Sequence, residues 1–347
     1  MDIAIWIFLS SGLFLGWSLG ANDAANVFGT AVGTRMVKFS TAALICSVMV
    51  ILGAVISGAG ASHTLGALGK VSALGGAFTV ALSAATTVYF MTKSGLPVST
   101  GQAIVGAIIG WNLFSGMATD PKVLSKILST WIMCPILAAF TAVLLYKLVA
   151  ASINWFRPGL FQLDKWTRIG LIIAGAFGSY SLGANNIANV MGVFVLSAPI
   201  DSAVWMGIEF SPAMQLFFIG SVAISIGVFT YSKKVMLTVG DNLIPMTPIT
   251  AWVVVMAHSI VLFIFSSQSL SNSFVELGLP AIPLVPVSSS QAVIGAVIGI
   301  ALLKRLPIRW AVLSQILMGW VITPILSALA CFIGLFIVQN LFNQVVV

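Results

Sequence analysis

Apolar residues run along this chain in blocks about as long as a bilayer is thick, and polar residues are confined to short gaps. Ten blocks stand out, at roughly 3–19, 41–58, 73–91, 95–114, 127–148, 169–182, 211–231, 249–267, 281–303 and 312–338. A helix needs about 20 apolar residues to cross the hydrocarbon core, so each block predicts a membrane helix. Two blocks end early in Gly- and Asn-rich stretches at Gly20 and Gly183, where a helix break is expected. Two others contain Pro-Val-Ser clusters at Pro97 and Pro286, which makes re-entrant hairpins an alternative to simple crossings.

Composition sharpens this picture. The 347 residues carry 15 Lys+Arg and 8 Asp+Glu, so 7% are charged and 59% hydrophobic, where a soluble domain carries about 25% charged residues. Mean hydropathy is +1.12. So few charges cannot cover a soluble surface, which excludes a soluble enzyme and a disordered chain. The net charge of +7 is scattered between apolar blocks rather than clustered, so no nucleic-acid partner is expected. The expected fold is an all-α integral membrane protein of about ten or more transmembrane or re-entrant helices. Asp2 precedes the first block and no basic region does, so that block reads as a span and not a cleaved signal. Cys46, Cys134 and Cys331 lie inside apolar blocks with no paired spacing, and predict neither disulfides nor a metal motif.

Charge bias orients the blocks. If the gap holding Arg35 and Lys38 is cytoplasmic, alternation also puts Lys93, Lys147, Arg157, Lys165, Arg168, Lys233, Lys234, Lys304, Arg305 and Arg309 inside. Twelve of the 15 basic residues then lie on one side, and only Lys70, Lys122 and Lys126 on the other. This is the positive-inside pattern. It places both termini outside the cytoplasm and supports ten crossings.

The chain also repeats itself. Residues 18–29 read Ser-Leu-Gly-Ala-Asn-Asp-Ala-Ala-Asn-Val-Phe-Gly, and residues 181–192 read Ser-Leu-Gly-Ala-Asn-Asn-Ile-Ala-Asn-Val-Met-Gly, an offset of 163. Residues 102–110 match 291–299 at an offset of 189, each after a Pro-Val-Ser cluster, and Trp131 and Pro135 match Trp320 and Pro324 at the same offset. The second copy has therefore gained 26 residues (189 − 163) between its motifs. Five crossings per half is an odd number, so the halves enter from opposite sides. The expected organisation is two inverted-topology repeats, 1–152 and 169–347, joined by a short cytoplasmic linker at 153–168; many secondary transporters are built this way.

Two kinds of motif carry chemistry. Asn22, Asp23 and Asn26, and in the second copy Asn185, Asn186 and Asn189, place amide and carboxylate oxygens at membrane depth, hard ligands suited to a small cation. Capping and interhelical hydrogen bonding are the competing roles for the Asn residues. Asp23 favours a functional role, because an ionisable side chain there is costly. The other motif, Ser99-Thr100-Gly101-Gln102 and Ser288-Ser289-Ser290-Gln291, follows Pro-Val and precedes a helical run. It reads as a helix N-terminus, whose free N–H groups and positive dipole end bind anions, with hydroxyls and the Gln amide as further donors. Two such starts in inverted repeats would enclose one oxyanion. His258 lies mid-span and reads as a packing residue, and His63 as a solvated loop residue. No nucleotide-binding, metalloprotease or serine-hydrolase motif occurs, so no enzyme is expected. An anion channel is the rival from another class, but no Lys or Arg falls at mid-membrane depth to line a pore.

The duplicated Gly-Ala-Asn-Asp/Asn-x-Ala-Asn motif and the paired Pro-Val-Ser motifs resemble the inorganic phosphate transporter (PiT) family over nearly the whole chain. The resemblance implies a secondary active symporter in the plasma membrane that carries inorganic phosphate with Na⁺ or H⁺ and has no cofactor. It maps phosphate binding onto Ser99, Thr100, Gln102, Ser288, Ser289, Ser290 and Gln291, and cation binding onto Asn22, Asp23, Asn26, Asn185, Asn186 and Asn189, with Na⁺ held at Asp23, Asn26, Asn186 and Asn189. The chain departs from the family pattern in three ways. It has Asn186 where many relatives have Asp, Gln102 and Gln291 where some have His, and no long central hydrophilic loop. Gln does not titrate, which favours Na⁺ over H⁺. A sulfate or other tetrahedral-oxyanion permease is the near alternative. The expected partners are inorganic phosphate, Na⁺ and the lipid bilayer, with a homo-oligomer such as a dimer as a further expectation.

Overall fold

The computed structural model describes residues 3–93, 98–205, 207–239 and 246–347. Asp2 and Pro97 lie outside them. Thirteen α-helices make up the described chain: α1 (Ile3–Gly33), α2 (Phe39–Ser57), α3 (Ala59–Leu68), α4 (Leu74–Lys93), α5 (Thr100–Ser115), α6 (Pro121–Phe156), α7 (Leu160–Met191), α8 (Pro212–Thr230), α9 (Ser232–Val239), α10 (Pro248–Ser266), α11 (Gln268–Glu276), α12 (Ser289–Lys304) and α13 (Trp310–Asn340). One small antiparallel hairpin, β1 (Ala203–Trp205) with β2 (Ile208–Phe210), is the exception to the all-helical expectation. His63 lies within α3 rather than in a loop.

Among the described residues, seven helices are long and apolar enough to cross a membrane: α1, α2, α4, α6, α8, α10 and α13. With 32 residues, α7 also has the length, although its first turns carry Asp164, Lys165 and Arg168. The helices α5 and α12 have 16 residues each, about 24 Å at 1.5 Å per residue, short of a core about 30 Å thick. Residues 279–288 lead into α12 without regular structure. The two Pro-Val-Ser blocks are therefore not simple helical crossings. Only residues 157–159 separate α6 from α7, so most of the expected linker is helical.

The break expected at Gly20 and Gly183 does not occur. Both α1 and α7 run straight through the Gly-Ala-Asn motifs. Gly costs a helix about 1 kcal/mol relative to Ala and Asn somewhat less. An unmade backbone hydrogen bond at membrane depth costs several kcal/mol, so continuity wins. The glycines serve close approach instead. A Cβ on Gly20 would lie 2.8 Å from the carbonyl carbon of Ile224 on α8, and one on Gly183 would lie 2.9 Å from that of Val50 on α2.

The repeated segments pack crosswise: α1 lies on α8 and α7 on α2, while α5 lies on α13 and α12 on α6. Gly53 meets Tyr180 and Gly227 meets Trp17, a pair of glycines 174 residues apart (227 − 53). The 26 extra residues therefore divide into 11 (174 − 163) near the hairpin and 15 (189 − 174) near α11. Gly106 approaches Pro324 and Gly295 approaches Pro135 in the same way. Two basic residues meet the turn at residues 36–39 between α1 and α2. There Arg168 Nη1 donates to Met36 O at 2.9 Å, and Lys233 Nζ lies 5.8 Å from the centroid of the Phe39 ring.

Candidate substrate and ion site

Two short helices begin inside the bundle. Ser99 caps α5, its Oγ accepting from Gln102 N at 3.3 Å. Ser288 caps α12, its Oγ accepting from Gln291 N at 3.2 Å. Each cap satisfies one amide. The preceding N–H groups, on Thr100 and Gly101 or on Ser289 and Ser290, have no carbonyl within their own helix to donate to. Ser290 Oγ donates to Val98 O at 3.4 Å, which ties the two helix starts together, and the Ser288 and Ser290 hydroxyls lie 3.0 Å apart. The positive ends of both helices therefore meet at one place.

Each Asn motif meets the helix start of the other repeat. On α1, Asn26 Nδ2 donates to Ser289 Oγ at 3.0 Å. On α7, Asn189 Nδ2 lies 3.4 Å from where a Cβ on Gly101 would sit, so glycine there leaves the amide room beside α5. Within the motifs, Asn22 Nδ2 donates to Asp23 Oδ1 and Asn189 Nδ2 to Asn186 Oδ1, both at 2.9 Å. Asn185 is engaged differently. Its Oδ1 accepts from Val287 N at 2.9 Å and its Nδ2 donates to Val285 O at 3.3 Å, so both ends of the amide hold the extended approach to α12.

The site is buried and short of partners. Asp23 is 3% exposed, and Asn185, Asn186 and Asn189 are equally buried. Asn22 and Asn26 are half-buried in a stretch of α1 that is otherwise closed. Thr100 Oγ1, Gln102 Oε1, Asn186 Nδ2, Asn189 Oδ1 and Gln291 Oε1 make no hydrogen bond. A buried unsatisfied polar atom costs about 1–3 kcal/mol, so a group that offers partners to several of them at once gains substantially by binding. Asp23 is the only residue of the four motifs with a formal charge. Two cavities lie elsewhere. One, of about 230 Å³, is a lateral apolar groove lined by Ile153, Leu163, Trp166 and Trp252 among others; the other is a small space beside Trp17, Tyr89 and Lys93. The motif side chains close on one another.

His258, read from the sequence as a packing residue, reaches this cluster. It is fully buried on α10, and its Nε2 lies 2.9 Å from Ser289 Oγ. The signal was available, because a titratable side chain at membrane depth is costly wherever it occurs.

A family model described as the phosphate transporter family matches residues 19–331, with a second match over 279–346. The chain belongs to the phosphate transporter family. Among the relatives of this family member, a protein of Methanocaldococcus jannaschii named "Putative phosphate permease" is 26% identical, the alignment covering 96% of this chain and 97% of that one. A sulfate permease of Bacillus subtilis is 27% identical, over 94% of this chain and 85% of its own. A solved structure described as the sodium-dependent phosphate transporter superposes with a TM-score of 0.75 at 21% identity, covering 97% of this chain and 99% of the other. At that identity the likeness establishes the fold. This family member is thus a multi-pass membrane protein with a transporter architecture.

Proposed function

We propose that this protein is a symporter that carries inorganic phosphate across the plasma membrane with Na⁺. One observation carries the reading: buried, partnerless polar atoms cluster where two helix starts meet two Asn motifs, with one carboxylate and no Lys or Arg. The helix-start amides, with Ser99, Thr100, Gln102, Ser288, Ser289, Ser290 and Gln291, form the oxyanion half. Asp23, Asn26, Asn186 and Asn189 supply hard oxygens for Na⁺, and Asn22 and Asn185 orient their surroundings. Charge makes the two halves depend on each other. Asp23 contributes −1 and a phosphate dianion −2, and a buried uncompensated charge costs several kcal/mol or more. About two cations offset the monoanion and about three the dianion. The oxyanion therefore needs its cations close by, which is the physical basis of coupling.

Crosswise packing of matching segments supports two inverted repeats around this site. The end of the bundle holding Met36, Arg168 and Lys233 is the cytoplasmic one on this reading, with both termini on the opposite side. The Bacillus subtilis relative favours a second reading, sulfate, because helix-start amides accept any tetrahedral oxyanion. Proton coupling would have to use Asp23 or His258, since Gln102 and Gln291 do not titrate. Purified protein in liposomes separates these readings by radiolabelled phosphate uptake under a Na⁺ gradient, a proton gradient or neither, with sulfate as competitor. Saturable uptake that needs Na⁺ and resists sulfate is the expected result. Uptake driven by protons alone, or abolished by equimolar sulfate, overturns it, and single-channel currents would replace the symporter with a channel.

A further inference from the structure

Ser289 opens α12 and receives two side chains from other helices. Asn26 Nδ2 donates to its Oγ at 3.0 Å, and His258 Nε2 stands 2.9 Å from the same oxygen. A serine hydroxyl has two acceptor positions and one proton. Asn26 fills one acceptor position, so the imidazole decides what is left.

The ring offers two arrangements. With the proton on Nδ1, Nε2 accepts and the Ser289 proton is tied up on the histidine. With the proton on Nε2, the ring donates, both acceptor positions of Ser289 are filled, and the hydroxyl proton must point elsewhere. Nδ1 makes no hydrogen bond and the residue is fully buried. A buried N–H without a partner is rarer than a buried acceptor without one. The proton therefore belongs on Nε2, and a doubly protonated ring would donate to Ser289 in the same way.

We propose that His258 is a positioning residue for substrate: together with Asn26 it makes the Ser289 hydroxyl an obligate donor to the bound oxyanion. The inference rests on the oxyanion reading of the two helix starts. It also gives Ser289 a preference, because an obligate donor pairs best with an unprotonated oxygen and offers no acceptor to the proton of a hydroxyl. Asn26 Oδ1 stays available to a cation on the far side of the same amide. Cation binding there polarises the N–H that feeds Ser289, which links the two halves of the site through one hydrogen-bonded chain.

Only two histidines occur in the chain, His63 and His258, so ¹⁵N-histidine labelling resolves the buried ring directly. The expected spectrum has the His258 proton on Nε2, and a proton on Nδ1 overturns the proposal without any variant. In liposomes, His258→Leu should raise the KM for phosphate on the order of tenfold, the loss of one hydrogen bond to a charged ligand. The maximal rate and the Na⁺ concentration for half-maximal uptake at saturating phosphate should move less than threefold. His258→Gln, whose amide can donate from a similar position, should restore most of the affinity. Adding His258→Leu to Ser289→Ala should cost nothing further. An unchanged KM in His258→Leu, or additive losses in the double variant, overturns the role of Ser289 as intermediary. Wild-type protein that carries no oxyanion overturns the site reading instead, while the ¹⁵N result still reports the tautomer.

Discussion

Adding one methyl group at Gly20 tests how the fold holds the site. A Cβ there lies 2.8 Å from the carbonyl carbon of Ile224, where ordinary contact begins at 3.4 Å. The carbonyl oxygen of Ile224 lies closer still, so α1 and α8 must separate by more than the 0.6 Å (3.4 − 2.8) that the carbon alone requires. Both partners are backbone, so no rotamer change can absorb the clash. Overpacking of this kind costs about 1–3 kcal/mol, and the helix propensity gained in replacing Gly offsets about 1 kcal/mol. The net loss is therefore up to about 2 kcal/mol, roughly 3 °C or less in melting temperature for a chain of this size. Gly66 on α3 provides the control, because a Cβ there meets nothing closer than 3.9 Å. Gly66→Ala should gain roughly 0.5–1 kcal/mol from backbone entropy alone. The displacement also reaches the site. Asn26 bonds Ser289 at 3.0 Å, and a shift of 0.6 Å along that bond takes it past 3.5 Å, so Gly20→Ala should raise the KM for phosphate as well. The assay is thermal unfolding of purified protein in detergent, with uptake measured in parallel. Gly183→Ala, which meets Val50 on α2, should behave like Gly20→Ala. A Gly20→Ala protein that melts at or above Gly66→Ala would refute the close-approach argument.

Three further outcomes are expected. Asp23→Asn should abolish Na⁺-driven uptake while circular dichroism and elution volume stay unchanged, and Asn186→Asp should steepen the Na⁺ dependence of phosphate binding; retained wild-type Na⁺ dependence in both would make the carboxylate merely structural. Asn185→Ala leaves Val287 N and Val285 O without their partner, so it should lose about 2 kcal/mol or more of stability and weaken phosphate binding, read by melting and isothermal titration. Single cysteines at Lys233 and Asp201 should react with an impermeant thiol reagent from opposite faces of sealed vesicles, since the native Cys46, Cys134 and Cys331 are buried; labelling from one face would end the inverted-repeat topology.

The sequence by itself determined that this chain lives in a membrane, because 23 charged residues in 347 leave no other surface to present. It also picked out the segments that the fold brings together. The duplicated motifs named Asn26, Asn189, Ser99 and Ser288 before any contact was known, since a repeat preserves residues that local physics alone does not require. Helix continuity through Gly20 and Gly183 was not legible. Propensity argued for a break, and only the close approach of Ile224 and Val50 shows what the glycines are for. The split roles within a motif were equally hidden. Asn185 and Asn189 are four residues apart on one helix, yet one amide is engaged at both ends by the chain around Val285–Val287 while the other keeps a partnerless oxygen. His258 lies 31 residues from Ser289, on a helix whose pattern reads as packing. Pattern and propensity act over a few residues, so they fix which segments enter the membrane and which motifs recur. Which side chains end up against each other across repeats depends on crosswise packing, a property of the whole bundle that only the tertiary structure decides.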